Sequence, residues 1–161
     1  MPRPTHVAVF SPDFVRGNVL LRRIARDNAD AALHDALTPL RKSLRDARPR
    51  VVVFDASAAS PGELRALPEL CHELPPGCEV VVLGALPEGF GLPEMRGVAA
   101  VLPGALDPEA VALAVSHVCA RPAPTARPPE AAEPPSTGTE QLRDAPVREI
   151  EADLLAFLKL D

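Results

Sequence analysis

The residue best placed to do chemistry is Asp55, which follows the apolar run Val51–Phe54. An apolar run rich in β-branched residues, preceded by Pro49 and followed by small residues, is typical of a strand buried on both faces. Asp55 would then stand at the carboxyl end of that strand, where open parallel sheets place their ligands. A carboxylate there could bind a metal ion or accept a phosphoryl group, or it could cap the following loop or remain solvated. The residues that surround Asp55 decide between these roles.

Cysteine and histidine offer little further chemistry. Cys71, Cys78 and Cys119 form an odd set without the spacing of a metal site. His72 is adjacent to Cys71, but a helix sends adjacent side chains in different directions. We therefore expect buried or half-buried thiols that stay reduced, as cytosolic thiols usually do.

Composition excludes several classes of function. Hydrophobic residues make up 47% of the 161 residues, enough for a packed core, while aromatic residues make up only 3%. A net charge of −5 and few aromatic rings argue against nucleic-acid binding, which normally uses a basic patch or a stacking platform. No apolar run approaches the roughly 20 residues that a membrane span needs. The first residues lack the pattern of a signal peptide, so we expect a cytoplasmic protein.

The elements that would position Asp55 alternate between strands and helices. Strands are predicted at 6–10, 29–34, 51–55, 79–83 and 97–102, and helices at 13–27, 37–47, 60–74 and 107–120. The third helix starts with a capping-box pattern at Ser60–Glu63. Prolines and glycines at 84–96 allow at most a short or irregular helix there. The apolar positions of the first helix recur at helical spacing, and they are Val15, Val19, Leu20 and Ile24. Such alternation predicts an α/β fold with a parallel sheet and helices on both faces.

The last forty or so residues differ from the rest in composition. Residues 121–146 are rich in proline and predict an extended, semi-stiff, disordered linker. Residues 147–161 then predict a short amphipathic helix, whose apolar side carries Val147, Ile150, Leu154, Phe157 and Leu158. A helix of this length is marginal alone in water, so it must dock on its own domain, on a second copy or on another protein.

Three short sequence segments resemble parts of the receiver domain of response regulators. The resemblance covers residues 5–120. Phe54-Asp55 resembles the phospho-acceptor position, and residues 97–110 resemble the fifth strand and the start of the last helix. Residues 12–16 resemble the opening of the first helix. The resemblance implies a five-stranded parallel sheet in the flavodoxin-like order 2-1-3-4-5.

The resemblance also shows which functional positions this chain lacks. Receivers carry an acidic pair after the first strand to hold Mg²⁺, and here Ser11 and Pro12 stand there, with Asp13 one step later. The hydroxyl residue expected after the fourth strand is replaced by Gly84. No lysine follows the fifth strand, where Gly104 stands, and the aromatic switch position is Val101. The parts that stabilise a transferring phosphoryl group are therefore missing.

We therefore predict a degenerate receiver that is not an enzyme, binds no cofactor and docks signalling or scaffold proteins without a phosphorylation switch. Receivers commonly dock partners on the surface of the fourth and fifth strands, where apolar residues of this chain either form an interface or pack under the loop: Leu86, Phe90, Leu92, Leu106 and Val111. The C-terminal helix would be a second docking element, and a homodimer is possible. The alternative is a phospho-accepting response regulator that uses Asp55, with Asp13 and Asp55 as a reduced Mg²⁺ pair. A nucleotide- or flavin-binding module is disfavoured because no glycine-rich loop follows the first strand.

Overall fold

The computed structural model describes residues 6–27, 30–91, 95–105 and 107–123. The strands are β1 (His6–Phe10), β2 (Asp30–His34), β3 (Val51–Asp55), β4 (Glu79–Leu83) and β5 (Val98–Leu102). The helices are α1 (Phe14–Asp27), α2 (Leu37–Asp46), α3 (Pro61–His72) and α4 (Pro108–Ala120). The predicted linker beyond Ala123 and the C-terminal helix lie outside the described residues.

The five strands form one parallel sheet in the order β2-β1-β3-β4-β5, as predicted. β3 is central, and all of its residues are buried. Phe10 pairs with Phe54 across β1 and β3, and their rings stack with centroids 4.7 Å apart. Asp55 pairs with Leu83 of β4. The carboxyl ends of β1, β3 and β4 therefore meet at the edge where Asp55 lies.

Alternate strand residues face two separate apolar layers. On one side, Val53 and its neighbours Val9 and Val81 pack against α1 and α4. On the other side, Val52 and Phe54 pack against α2 and α3. A strand buried on both faces needs an unbroken apolar sequence, which explains the valine runs of β3 and β4.

Only two of the four predicted apolar positions of α1 are buried. Its buried residues are Gly17, Leu20 and Ile24, whereas Val15 is 73% exposed and Val19 is 49% exposed. The helix can lie this way because Gly17 sits against β2, where an added Cβ would come within 2.7 Å of Leu33 Cδ1. Close packing through a glycine turns Val15 and Val19 away from the sheet.

The predicted capping box at the start of α3 is confirmed. The Ser60 hydroxyl accepts a hydrogen bond from the Glu63 main-chain N–H, and the Glu63 carboxylate accepts one from the Ser60 N–H. Between β4 and β5, the described residues 84–91 and 95–97 contain no helix. No helix within the described ranges is both long and apolar enough to cross a membrane.

Candidate functional site

Asp55 is the last residue of β3 and is completely buried. Within the described ranges, only Ser11 and Asp55 are buried among the polar and charged residues. The expectation that this carboxylate might simply be solvated is therefore wrong. An ionised carboxylate away from water needs a cation and hydrogen-bond donors to offset its desolvation.

Three side chains supply those donors. The Ser11 hydroxyl donates to Asp55 Oδ2 at 2.9 Å, and the Ser57 hydroxyl donates to Oδ1 at 2.8 Å. The cation is Arg16, whose Nε donates to Oδ2 at 2.7 Å. Both carboxylate oxygens are thus occupied by side chains of this domain.

The first turn of α1 places Arg16 over the carboxylate. Asp13 lies just before the helix, and its Oδ1 accepts the Arg16 main-chain N–H at 3.0 Å. The Arg16 side chain then reaches Asp55 with Nε, while its Nη2 donates to the Gly104 carbonyl oxygen and to Ser57 Oγ at 3.3 Å. Arg16 therefore joins the ends of three segments, because it contacts the residues that follow β1, β3 and β5.

Ser57 fills the space on the other side of Asp55. A Cβ added to Gly84 would lie 2.8 Å from the Ser57 main-chain nitrogen, and one added to Gly104 would lie 2.6 Å from Ser57 Oγ. Neither position has room for a side chain while Ser57 donates to Asp55. These glycines stand where the resemblance implied a hydroxyl residue and a lysine, and Ser57 occupies the volume that such side chains would need.

The arrangement is a closed ion pair. Accepting a phosphoryl group requires a free carboxylate oxygen, an open approach and a cation over the incoming oxygens. At Asp55 the oxygens are engaged, and the residue has no exposed surface. The planar guanidinium neutralises the carboxylate directly, through a charge-assisted hydrogen bond.

The two predicted magnesium ligands, Asp13 and Asp55, both accept hydrogen bonds from Arg16. The Asp13 side chain caps α1, and the Asp55 side chain accepts from the guanidinium of the same arginine. Within the described ranges, no group of three or more His, Cys, Asp or Glu side chains could hold a metal ion. A magnesium ion on these two carboxylates would have to displace Arg16, and this site stays a prediction.

Sequence reasoning found Asp55 but missed its partners. Neither Arg16 nor Ser57 was singled out from the sequence. A usable signal was present, since Arg16 lies in the first turn of a helix that starts at the same sheet edge. Ser57 stands two residues after Asp55, which is within reach of a local side-chain hydrogen bond.

The second predicted surface is only partly described. Phe90 is half-buried and packs, with Leu86, against the core layer under α2 and α3. Val111 is buried against the opposite face of the sheet. Phe90 also lines an open cavity of about 410 Å³ beside the end of α3, together with Pro68, His72, Glu88, Gly89, Gly91 and Met95.

The remaining predicted binding residues cannot be placed. Leu92 and Leu106 lie outside the described residues, and so do four residues of the C-terminal segment: Ile150, Leu154, Phe157 and Leu158.

Comparison with known proteins supports the fold. No protein-family model matches the chain, and no curated protein matches it. A protein described as pilus assembly-related, from Burkholderia pseudomallei, is similar with a TM-score of 0.56 and 20% identity, covering 72% of this chain and 90% of that chain. A protein described as the pilus assembly protein cpaE, from Burkholderia thailandensis, has a TM-score of 0.56 and 20% identity, with 73% and 99% covered.

A response regulator from Thermotoga maritima is similar with a TM-score of 0.59 and 13% identity, covering 73% of this chain and 99% of that chain. At such identities the likeness concerns the fold. Strand order, parallel pairing and the position of Asp55 at the end of β3 agree with it. The described domain therefore has the receiver fold of response regulators, and an arginine and two serines enclose the aspartate at the end of its third strand.

Proposed function

We propose that this chain is a protein-docking module of the receiver fold, acting in bacterial signalling or spatial organisation without a phosphorylation switch. The observation that carries the proposal is the complete burial of Asp55 against Arg16, Ser11 and Ser57. A switch needs two arrangements whose balance a ligand can shift. Because the closed ion pair favours one arrangement, we expect the function of this chain to lie in contacts made by the surface of the domain.

Two surfaces are candidates for docking. The first is the cavity beside Phe90, which combines apolar residues with His72 and Glu88. The second is the C-terminal segment, where Ile150, Leu154 and Phe157 would anchor in a groove of a partner. A linker between two weak docking elements raises their combined affinity through effective concentration.

The partners that fit this role are other signalling or scaffold proteins. Two structural neighbours are described as pilus assembly proteins, and one as a response regulator. Assembly and signalling both depend on protein contacts, and a receiver fold can serve either by changing the residues on its surface.

Co-purification from the native cell tests the proposal. Full-length chain, chain without residues 147–161 and an Asp55→Asn variant are compared, after circular dichroism shows that each is folded. We expect Asp55→Asn to recover the same partners as the parent, and the shortened chain to recover less. Loss of partners on Asp55→Asn in a folded protein would contradict the proposal, and unchanged recovery without 147–161 would remove that segment from it.

A further inference from the structure

The solvent side of α1 carries an unusual set of residues. Phe14 is 70% exposed, Val15 is 73% exposed and Val19 is 49% exposed, although each has a large apolar side chain. Val15 and Val19 lie opposite the buried side of the helix, on the same side as Arg22 and Arg26 by the helical repeat of 100° per residue, and Phe14 lies next to that side in the first turn. Within the described ranges, three of the five exposed large hydrophobic residues therefore belong to the first two turns of one helix.

Two adjoining concavities run along this side. One, of about 330 Å³, is lined by Phe14, Val15, Asn18, Val19 and Arg22. The other, of about 300 Å³, extends from α1 to the start of α4 and is lined by Val19, Arg22, Arg23, Arg26, Asp107, Pro108 and Glu109. They share Val19 and Arg22, so they form one groove, which we call the α1 groove.

The unbalanced charge of the α1 groove is positive. Arg23 is paired with Asp27 at 3.0 Å and with Glu109 at 3.1 Å. The Asp107 carboxylate accepts the Glu109 main-chain N–H at 3.0 Å and so caps α4. Within the described ranges, Arg22 and Arg26 form no salt bridge.

The sequence of this chain contains a segment of the complementary kind. Residues 147–161 place Ile150, Leu154 and Phe157 on one side of the predicted helix. At 100° per residue, Glu151 and Asp153 fall on either side of that apolar stripe. Apolar anchors flanked by carboxylates match a groove of apolar residues flanked by unpaired arginines.

The linker is long enough for residues 147–161 to reach a second molecule. The described residues end at Ala123, which lies against Gly77 near the start of β4. Residues 124–146 are rich in proline, and a proline-rich chain extends by about 3.1 Å per residue. Full extension would span about 70 Å, against a diameter of about 35 Å for a domain of this size, so the segment can extend well beyond its own domain.

We propose that the α1 groove of one molecule binds residues 147–161 of a second copy, and that the second copy binds the first in the same way. The proposal rests on the C-terminal segment being a docking element, and it names one partner of that segment. Two reciprocal contacts close a symmetric dimer and bury both grooves at once.

A charge-swap experiment on the full chain tests this dimer by sedimentation velocity from 1 to 500 μM loading, values chosen to bracket a weak to moderate association. Variant one is Arg22→Glu/Arg26→Glu, and variant two is Glu151→Lys/Asp153→Lys. We expect the parent to dimerise reversibly and each variant alone to dimerise at least about tenfold more weakly, because every contact then opposes like charges. An equimolar mixture of the two should recover the parent's dimer affinity, since each groove then meets a segment of opposite charge.

A matched control carries Arg45→Glu/Arg65→Glu on the exposed surfaces of α2 and α3, the other face of the sheet, and should dimerise like the parent. A parent that is monomeric at every concentration would overturn the proposal, and so would weak variants that the mixture fails to rescue. If the chain is monomeric but partner recovery still requires residues 147–161, this dimer is wrong while the docking role stands.

Discussion

Replacing Arg16 with alanine should cost the domain about 3 kcal/mol of unfolding free energy. The substitution leaves the buried Asp55 carboxylate with two serine donors and no cation, and breaking a buried ion pair typically costs about 3–5 kcal/mol. We take the lower end because the Arg16 side chain is 34% exposed, so water can enter the space that it leaves.

The same reasoning predicts a double-mutant cycle. Asp55→Asn keeps an oxygen that can accept from the serines and removes the buried charge, so it should cost about 2 kcal/mol. The double variant Arg16→Ala/Asp55→Asn buries no unpaired charge and should cost about 3 kcal/mol. The singles therefore add to about 5 kcal/mol, which gives a coupling of about 2 kcal/mol.

Urea unfolding measures each cost. The chain contains no Trp or Tyr, so far-ultraviolet circular dichroism replaces fluorescence as the probe. With a slope of about 1.5 kcal/mol per molar urea, Arg16→Ala should lower the midpoint by about 2 M at an unchanged slope. Arg65→Ala is the matched control, because Arg65 lies exposed on α3 without a salt bridge among the described residues, and it should cost less than about 0.5 kcal/mol.

Additive costs would refute this reasoning. If the double variant equals the sum of the singles to within about 0.5 kcal/mol, the two side chains do not depend on each other. A cost for Arg16→Ala no larger than that of the control would show that the carboxylate does not need the guanidinium.

Three further predictions follow from other described residues. Gly84→Ala should destabilise the domain more than Gly89→Ala, because both glycines have positive φ but only Gly84 would bring a Cβ within 2.8 Å of the serine backbone beside β3; equal urea midpoints would contradict this. Burial, and then the charge of a neighbouring histidine, lowers the pKa of His34 from 6.5, so the folded chain binds fewer protons than the unfolded chain and stability should fall as the pH drops below 6.5. His34→Gln should reduce that loss between pH 7.5 and pH 5.5, and an unchanged loss would argue against it. Burial raises the pKa of Cys71 to about 11 and that of Cys78 to about 12, so thiol labelling at pH 8 should be at least about tenfold slower in the native chain than in urea; mass spectrometry of the labelled peptides measures both sites, and equal rates would contradict their burial.

The strand pattern made most of the fold predictable. Val51–Phe54 and the valine run of β4 are typical of strands buried on both faces, and their alternation with helices leads to the parallel sheet that the structure has. The capping box at Ser60 also followed from local sequence, because it depends on two residues three positions apart.

Contacts between distant residues were harder to predict. The hydrogen bond from Arg16 to Asp55 joins residues 39 positions apart, and it depends on how α1 lies against the sheet. That orientation is set by Gly17 against Leu33, and the apolar spacing of α1 did not reveal it, since Val15 and Val19 fit the same helical period as Leu20 and Ile24. Because the sequence did not reveal the orientation of α1, it revealed neither the partner of Asp55 nor the exposed side of α1.

The central claim is that the side chains around Asp55 prevent it from accepting a phosphoryl group. Intact-mass spectrometry of the full chain, after incubation with acetyl phosphate and Mg²⁺, tests it most directly. We predict the same mass as in a sample without phosphodonor. An adduct of one phosphoryl group that is absent from Asp55→Asn would contradict the claim and support the phospho-accepting alternative.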